Sequence, residues 1–186
     1  LSIRETANKA NRGGGLTFNI SNLSEADITK IIENTLQMQG QGEVIDTKYG
    51  QILKDKPGML YVSGLFVCET ELKYGYNVKP QYLRLERDRK TVDGFDLKLI
   101  AKNMHFDTGL WDEVCADMEA EIPDLEYAHW DAPEILKETC YNHFVEKNEG
   151  QDIPVVSTQQ ELREHIAAGL VETKVVGGSY GQAIRS

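Results

Sequence analysis

The sequence predicts an α+β or α/β fold: a mixed β-sheet packed by helices, closed by a small β-α-β unit. Three observations carry this. Between Gly42 and Leu72, β-branched and aromatic residues gather in short runs broken by Pro57-Gly58 and Ser63-Gly64. From Asp96 to Gly150, apolar side chains recur at helical spacing. After Gln151 come a short apolar run, a capped helical stretch and a second apolar run, the order of a parallel β-α-β unit.

Taken in order, Leu1 to Glu5 and Leu16 to Leu23 alternate apolar and polar side chains around "NRGGG", which reads as a hairpin. Ser24 and Asp27 have the spacing of a capping box, and Ile28, Ile31, Ile32 and Leu36 then repeat as on a helix ending near Gly40. Met59 to Val62 and Leu65 to Cys68 read as two strands joined at Ser63-Gly64. Three helices follow in a row. The first begins near Asp96, the second follows a Thr108 cap, and the third has Asp131 as N-cap, Pro133 in its first turn and Gly150 past its end. In the tail, "IPVVS" reads as a strand. Thr158 and Glu161 cap a helix ending at Gly169, and "LVETKVVGG" returns as a strand before "SYGQAIRS". Glu149-Gly150-Gln151 marks the clearest internal boundary.

Bulk properties exclude several classes. A chain of 186 residues with 40% hydrophobic residues can fill a core. The net charge of −10 weighs against general affinity for nucleic acid or an anionic membrane surface. No run reaches the roughly 20 apolar residues of a membrane helix. Three widely spaced cysteines read as reduced thiols, hence a cytoplasmic setting. The opening "LSIRET" begins without methionine and already alternates like a strand, which reads as a fragment or processed product.

Catalytic signatures are sparse. Cys140 and His143 lie three apart on one helix, with Cys115 and His129 on neighbouring elements. No second close pair completes a zinc tetrahedron, so no metal is expected; the alternative is a buried thiol beside a surface histidine. The acidic run Asp117 to Glu126 reads as a solvated face. "GGSYG", Gly177 to Gly181, follows a strand but lacks dinucleotide-binding spacing and reads as a turn.

One stretch stands apart. "LRLERDRK", Leu83 to Lys90, holds six charged residues of eight, four of them cationic, in an acidic chain. Leu83 and Leu85 alternate with charge and can anchor one strand face, a parity that puts Arg87 on the leucine side. Guanidinium groups fit phosphate oxygens bidentately. The same arginines can equally pair with Glu86, Asp88 and Asp93 at the surface, where each pair contributes little.

"GGLTFNISNLSEADITKII" resembles the closing strand and following helix of the ATP-binding domain in GHKL ATPases. This superfamily of gyrase, heat-shock chaperones, histidine kinases and mismatch-repair ATPases has phage-encoded members. "GMLYVSGLFVCETE" resembles a strand pair of the transducer domain that follows. "LRLERDRKTV" resembles the chaperone segment Leu-x-x-Ser-Arg-Glu, which places Arg87 on the arginine that reaches the ATP γ-phosphate. Asp88 stands in for the glutamate, and Glu86 replaces the serine. Gyrase-type members use a transducer lysine instead, which points to Lys79. The resemblance spans roughly Leu16 to Met104, about half the chain.

The resemblance implies an organisation. Residues 1–40 would end an ATP-binding domain, 41–150 form a transducer-like α/β domain, and 151–186 a small β-α-β unit. Arg87 and Lys79 would be the catalytic contacts and Arg84 and Arg89 their nucleotide-binding support. ATP and Mg2+ would serve the intact protein and none this chain alone, because the Bergerat pocket motifs are missing and would lie upstream. The chain would then couple ATP hydrolysis in that upstream domain to domain movement, without activity of its own. The upstream domain is the expected partner, with a further protein or a second copy beside it. The alternative is a non-catalytic interaction module of a phage or bacterial protein, docking through a sheet edge.

Overall fold

The computed structural model describes residues 20–40, 42–85, 92–151, 153–170 and 172–185. The fold is mixed α+β. Helix α1 (Glu25–Glu33) begins at a capping box. Ser24 Oγ accepts from the Asp27 amide at 3.2 Å, and the Asp27 carboxylate accepts from the Ser24 amide at 3.1 Å. A short 3-10 turn, Leu36–Met38, follows. The strands are β1 (Val44–Thr47), β2 (Gly50–Leu53), β3 (Met59–Val62), β4 (Leu65–Glu69) and β5 (Gly75–Val78).

They form one sheet in the order β1-β2-β5-β3-β4, antiparallel except for the parallel pair β3/β5. The β3–β4 turn is the expected one. Ser63 and Gly64 both take positive φ, 52° and 79°, which the short tight hairpin requires. Strand periodicity sorts the two faces. Ile45, Ile52, Tyr76 and Leu60 are register partners in one row; Asp46, Gln51, Asn77 and Tyr61 form the next row and point the other way.

Helix α2 (Gly94–Thr108) covers the apolar row. Its N-cap is Asp93, whose carboxylate accepts from the amides of Phe95 and Asp96 at 2.9 and 3.1 Å, and Gly109 ends it at φ 68°. Leu97, Ile100 and Met104 of α2 join Ile52, Leu60 and Tyr76 in the first core. A second core lies among α3 (Trp111–Glu119), α4 (Glu134–Lys147) and α6 (Gly178–Arg185). Its centre is Val114, Met118, Leu136, Phe144, Tyr180 and Ala183. Strands β6 (Val155–Val156) and β7 (Lys174–Val175) pair in parallel around α5 (Gln159–Ala167), the expected β-α-β unit. Because α6 completes the second core, residues 149–151 separate α4 from the tail but not one core from another.

Several local expectations are corrected. Asp131 does not cap α4; Pro133 holds that position, and the Asp131 carboxylate instead meets the Lys102 ammonium at 2.6 Å. Lys102 is almost wholly buried, and its need for a counter-charge outweighs a cap. Thr108 closes α2, with Leu110 as the residue before α3, although the Thr108 hydroxyl still accepts from the Leu110 amide. The acidic run is not a solvated face throughout, since Asp117 and Asp124 are buried. Asp124 accepts from the amides of Lys73 and Tyr74 at 2.7 and 3.2 Å and from the Tyr76 hydroxyl, which also meets His105 Nε2 at 3.0 Å. The first nineteen residues, with most of the expected hairpin, lie outside the described residues. No helix among the described residues is long and apolar enough to cross a membrane.

Candidate functional site

The end of the sheet where β5 stops carries the one predicted contact residue whose setting is defined in full. Backbone geometry fixes Lys79: its amide donates to Tyr49 O at 2.9 Å, and its carbonyl accepts from the Tyr82 amide at 3.0 Å. The exposed side chain reaches over the β1–β2 turn, and Nζ donates to Lys48 O at 2.8 Å. Lys48 projects from that same turn. Its ammonium stands 4.8 Å from the centre of the Tyr49 ring and 3.4 Å from Asp107. A hydrogen bond with Tyr49 and then the Asp107 carboxylate push the Lys48 ammonium above the usual lysine range. Tyr49 and Tyr82 meet edge to face at 4.9 Å and close the floor of this corner. Two lysines from elements distant in sequence thus share one rim.

A polar trough leads away from the rim across the face of the sheet opposite α2. Gln51 donates to Asp46 at 3.0 Å, Asn77 donates to Gln51 at 2.9 Å, and the Asn77 side-chain oxygen accepts from the Gly64 amide at 2.8 Å. This ladder floors a depression of about 340 Å³ that includes Ser63 and Lys79, and a neighbouring one of about 490 Å³ bounded by Gln37, Gln39 and Lys56. Amides, carbonyls and two ammonium groups can hold an anionic or hydrogen-bonding partner. Around Lys79 the described residues supply a cation and backbone polar groups that suit the binding of a charge.

The arginine stretch leaves from the same core. Leu83 is buried and Leu85 packs against the first core, as the alternation with charge requires. Leu85 and Val92 face each other in an antiparallel bridge, so both ends of the intervening segment are tied to the first core. Arg84 is exposed between the two leucines. Arg87 and Arg89 lie outside the described residues. Sequence reasoning missed Lys48, because only the insertion of β5 beside β2 brings the β1–β2 turn next to Lys79.

The cysteine and histidine residues weighed for metal binding partly converge. Cys115 Sγ lies 3.3 Å from His143 Nδ1, and Cys140 adjoins Cys115. His129 is elsewhere, 3.0 Å from the Ser179 hydroxyl. Among the described residues no group of three or more such side chains is arranged to hold a metal ion. Asp112, at 3.1 Å from His143 Nε2, was not singled out in the sequence; its place one turn before Cys115 on α3 was the available signal.

No protein-family model, curated protein or solved structure matches this chain.

Proposed function

We propose that this chain is the transducer and C-terminal portion of a GHKL-type ATPase, coupling ATP hydrolysis in an adjoining upstream domain to domain movement. The observation that carries this reading is α1. It is a well-capped amphipathic helix, yet none of its residues is buried, and Ile28, Ile31 and Ile32 stand 46%, 37% and 42% exposed. An apolar stripe on a formed helix is stable chiefly when something covers it. An upstream ATP-binding domain of which α1 is the last element would supply that cover. The same domain would bring nucleotide toward the sheet end that carries Lys79, and on this reading Lys79 and Arg87 would meet the γ-phosphate with Arg84 and Arg89 in support. Mg2+ would enter with the ATP.

The alternative, an interaction module that adds a strand to the sheet, would have to use the β1 edge or the far end of β4. Thr35 bridges Leu65, the Leu36 amide donates to Gly64 O at 2.8 Å, and the Phe66 amide donates to Asn34 O at 2.9 Å, closing the start of the β4 edge.

The test is ATP turnover by the full-length gene product. Arg87→Ala is expected to lower the rate on the order of a thousandfold with unchanged thermal stability, as for an arginine aimed at a transferring phosphate. Lys79→Ala is expected to lower it less. The 186-residue chain alone is expected to turn over no ATP. Unchanged turnover in Arg87→Ala, or no ATPase activity in the full-length product, would refute the reading.

A further inference from the structure

The second core contains an arrangement that packing alone does not require. Cys115 on α3 and Cys140 on α4 are both 0% exposed. A buried cysteine is ordinarily a small apolar side chain. Here the Cys115 sulfur faces an imidazole nitrogen at 3.3 Å, and the far nitrogen of that ring faces a carboxylate at 3.1 Å. The carboxylate of Asp112 is 86% exposed and the His143 side chain 28%. A hydrogen-bonded line therefore runs from solvent to a buried thiol. The Asp112 carboxylate accepts the Nε2 proton of His143, which leaves Nδ1 as an acceptor for the Cys115 proton. Nucleophile, base and orienting acid stand in the order that activates a thiol. The second thiol, Cys140, adjoins the first in the same buried core.

We propose that Cys115 and Cys140 form a reversible redox site, in which His143 activates Cys115 toward a small hydroperoxide and Cys140 resolves the product into a disulfide. The Cys115 proton passes to His143 Nδ1. The thiolate attacks one peroxide oxygen, the O–O bond breaks, and the departing hydroxide takes the proton back from His143 to leave as water. Cys115 is then a sulfenic acid. The Cys140 sulfur attacks the Cys115 sulfur, the S–O bond breaks, and the second oxygen leaves as water with the Cys140 proton. Two thiols are oxidised to one disulfide while hydrogen peroxide is reduced to water, and a dithiol reductant reverses the change.

The division of labour between the sulfurs follows from their surroundings. The neighbouring Cys140 holds Cys115 below the ordinary thiol range, and the neighbouring Cys115 together with burial pushes Cys140 well above it. The imidazole nitrogen 3.3 Å from its sulfur makes Cys115 the attacking thiol and leaves Cys140 as the waiting one. Cys68, half-buried on β4, serves as an internal reference, because burial alone pushes its thiol up.

The experiment is graded treatment of the folded 186-residue chain with hydrogen peroxide. Acid quench, alkylation of remaining thiols after denaturation, and peptide mass spectrometry follow. The expected result is a Cys115–Cys140 disulfide that accumulates before any oxidation of Cys68 and disappears with dithiothreitol. In Cys140→Ser, Cys115 should instead be trapped as a dimedone adduct. His143→Gln should slow Cys115 oxidation about tenfold at neutral pH and move its pH profile up toward that of an ordinary thiol. Prior oxidation of Cys68, cross-links only between molecules, or thiols that stay reduced until the chain unfolds would overturn the proposal. So would a rate and pH profile independent of His143.

Discussion

Helices α1 and α2 are built by the same local rules. Each starts at a side chain that accepts from its own first-turn amides, Ser24 for one and Asp93 for the other. Each carries apolar residues at helical spacing. Their fates differ: Leu97, Ile100 and Met104 of α2 are buried on the sheet, whereas Ile28, Ile31 and Ile32 of α1 are exposed. Caps and periodicity decide that a helix forms; the surface available to its apolar face decides where it belongs. Helix α2 belongs to this core, and α1 contributes no buried residue to it.

The largest effect that can sharpen this contrast lies beneath α2. Asp124 accepts hydrogen bonds from Tyr76 and from the amides of Lys73 and Tyr74, in a site with 0% exposure. Asp124→Ala leaves the amides of Lys73 and Tyr74 without their acceptor and strips Tyr76 of one partner, and should cost about 4 kcal/mol in urea unfolding. Met104→Ala, at a wholly buried α2 position, should cost about 3 kcal/mol in the same assay.

The contribution of pH is smaller and has a fixed sign. Burial lowers the His105 pKa from 6.5, the neighbouring carboxylates of Asp124 and Asp117 opposing it only in part. The unfolded chain therefore binds the His105 proton more readily than the folded one. Stability from the neutral ring is full above pH 6.5 and is lost as pH falls below it. An NMR titration should find the His105 midpoint below that of an unstructured histidine. A midpoint at or above it would show that the ring is not held neutral against Tyr76.

At the bottom of the scale, Ile31→Ala should change the stability of the 186-residue chain by no more than about 0.5 kcal/mol, since the side chain leaves little contact behind and alanine favours helix. A loss as large as that for Met104→Ala would mean that α1 is held by this core after all.

The elements that were legible in the sequence are those set by neighbours in the chain. Ser24 with Asp27, the Ser63-Gly64 turn, and Thr158 with Glu161 each act over a few residues, and each appears where the spacing placed it. The sequence could not reveal the placement of β5 between β2 and β3, because a parallel β3/β5 pair has no local signature. Asp131 shows local logic overridden, since a buried lysine on α2 claims the carboxylate that would otherwise cap α4. The candidate site divides in the same way. Leu83 and Leu85 announced their anchoring role by alternation, whereas Lys48 meets Lys79, and Cys115 meets His143, only through tertiary packing.

The most direct test of the central claim is amide hydrogen exchange of residues 25–33, compared between the 186-residue chain and the full-length gene product, with and without a non-hydrolysable ATP analogue. If an adjoining nucleotide-binding domain covers the bare face of α1, these amides should exchange at least about a hundredfold more slowly in the full-length product, and more slowly again with nucleotide bound. Equal exchange in both proteins, indifferent to nucleotide, would contradict the account.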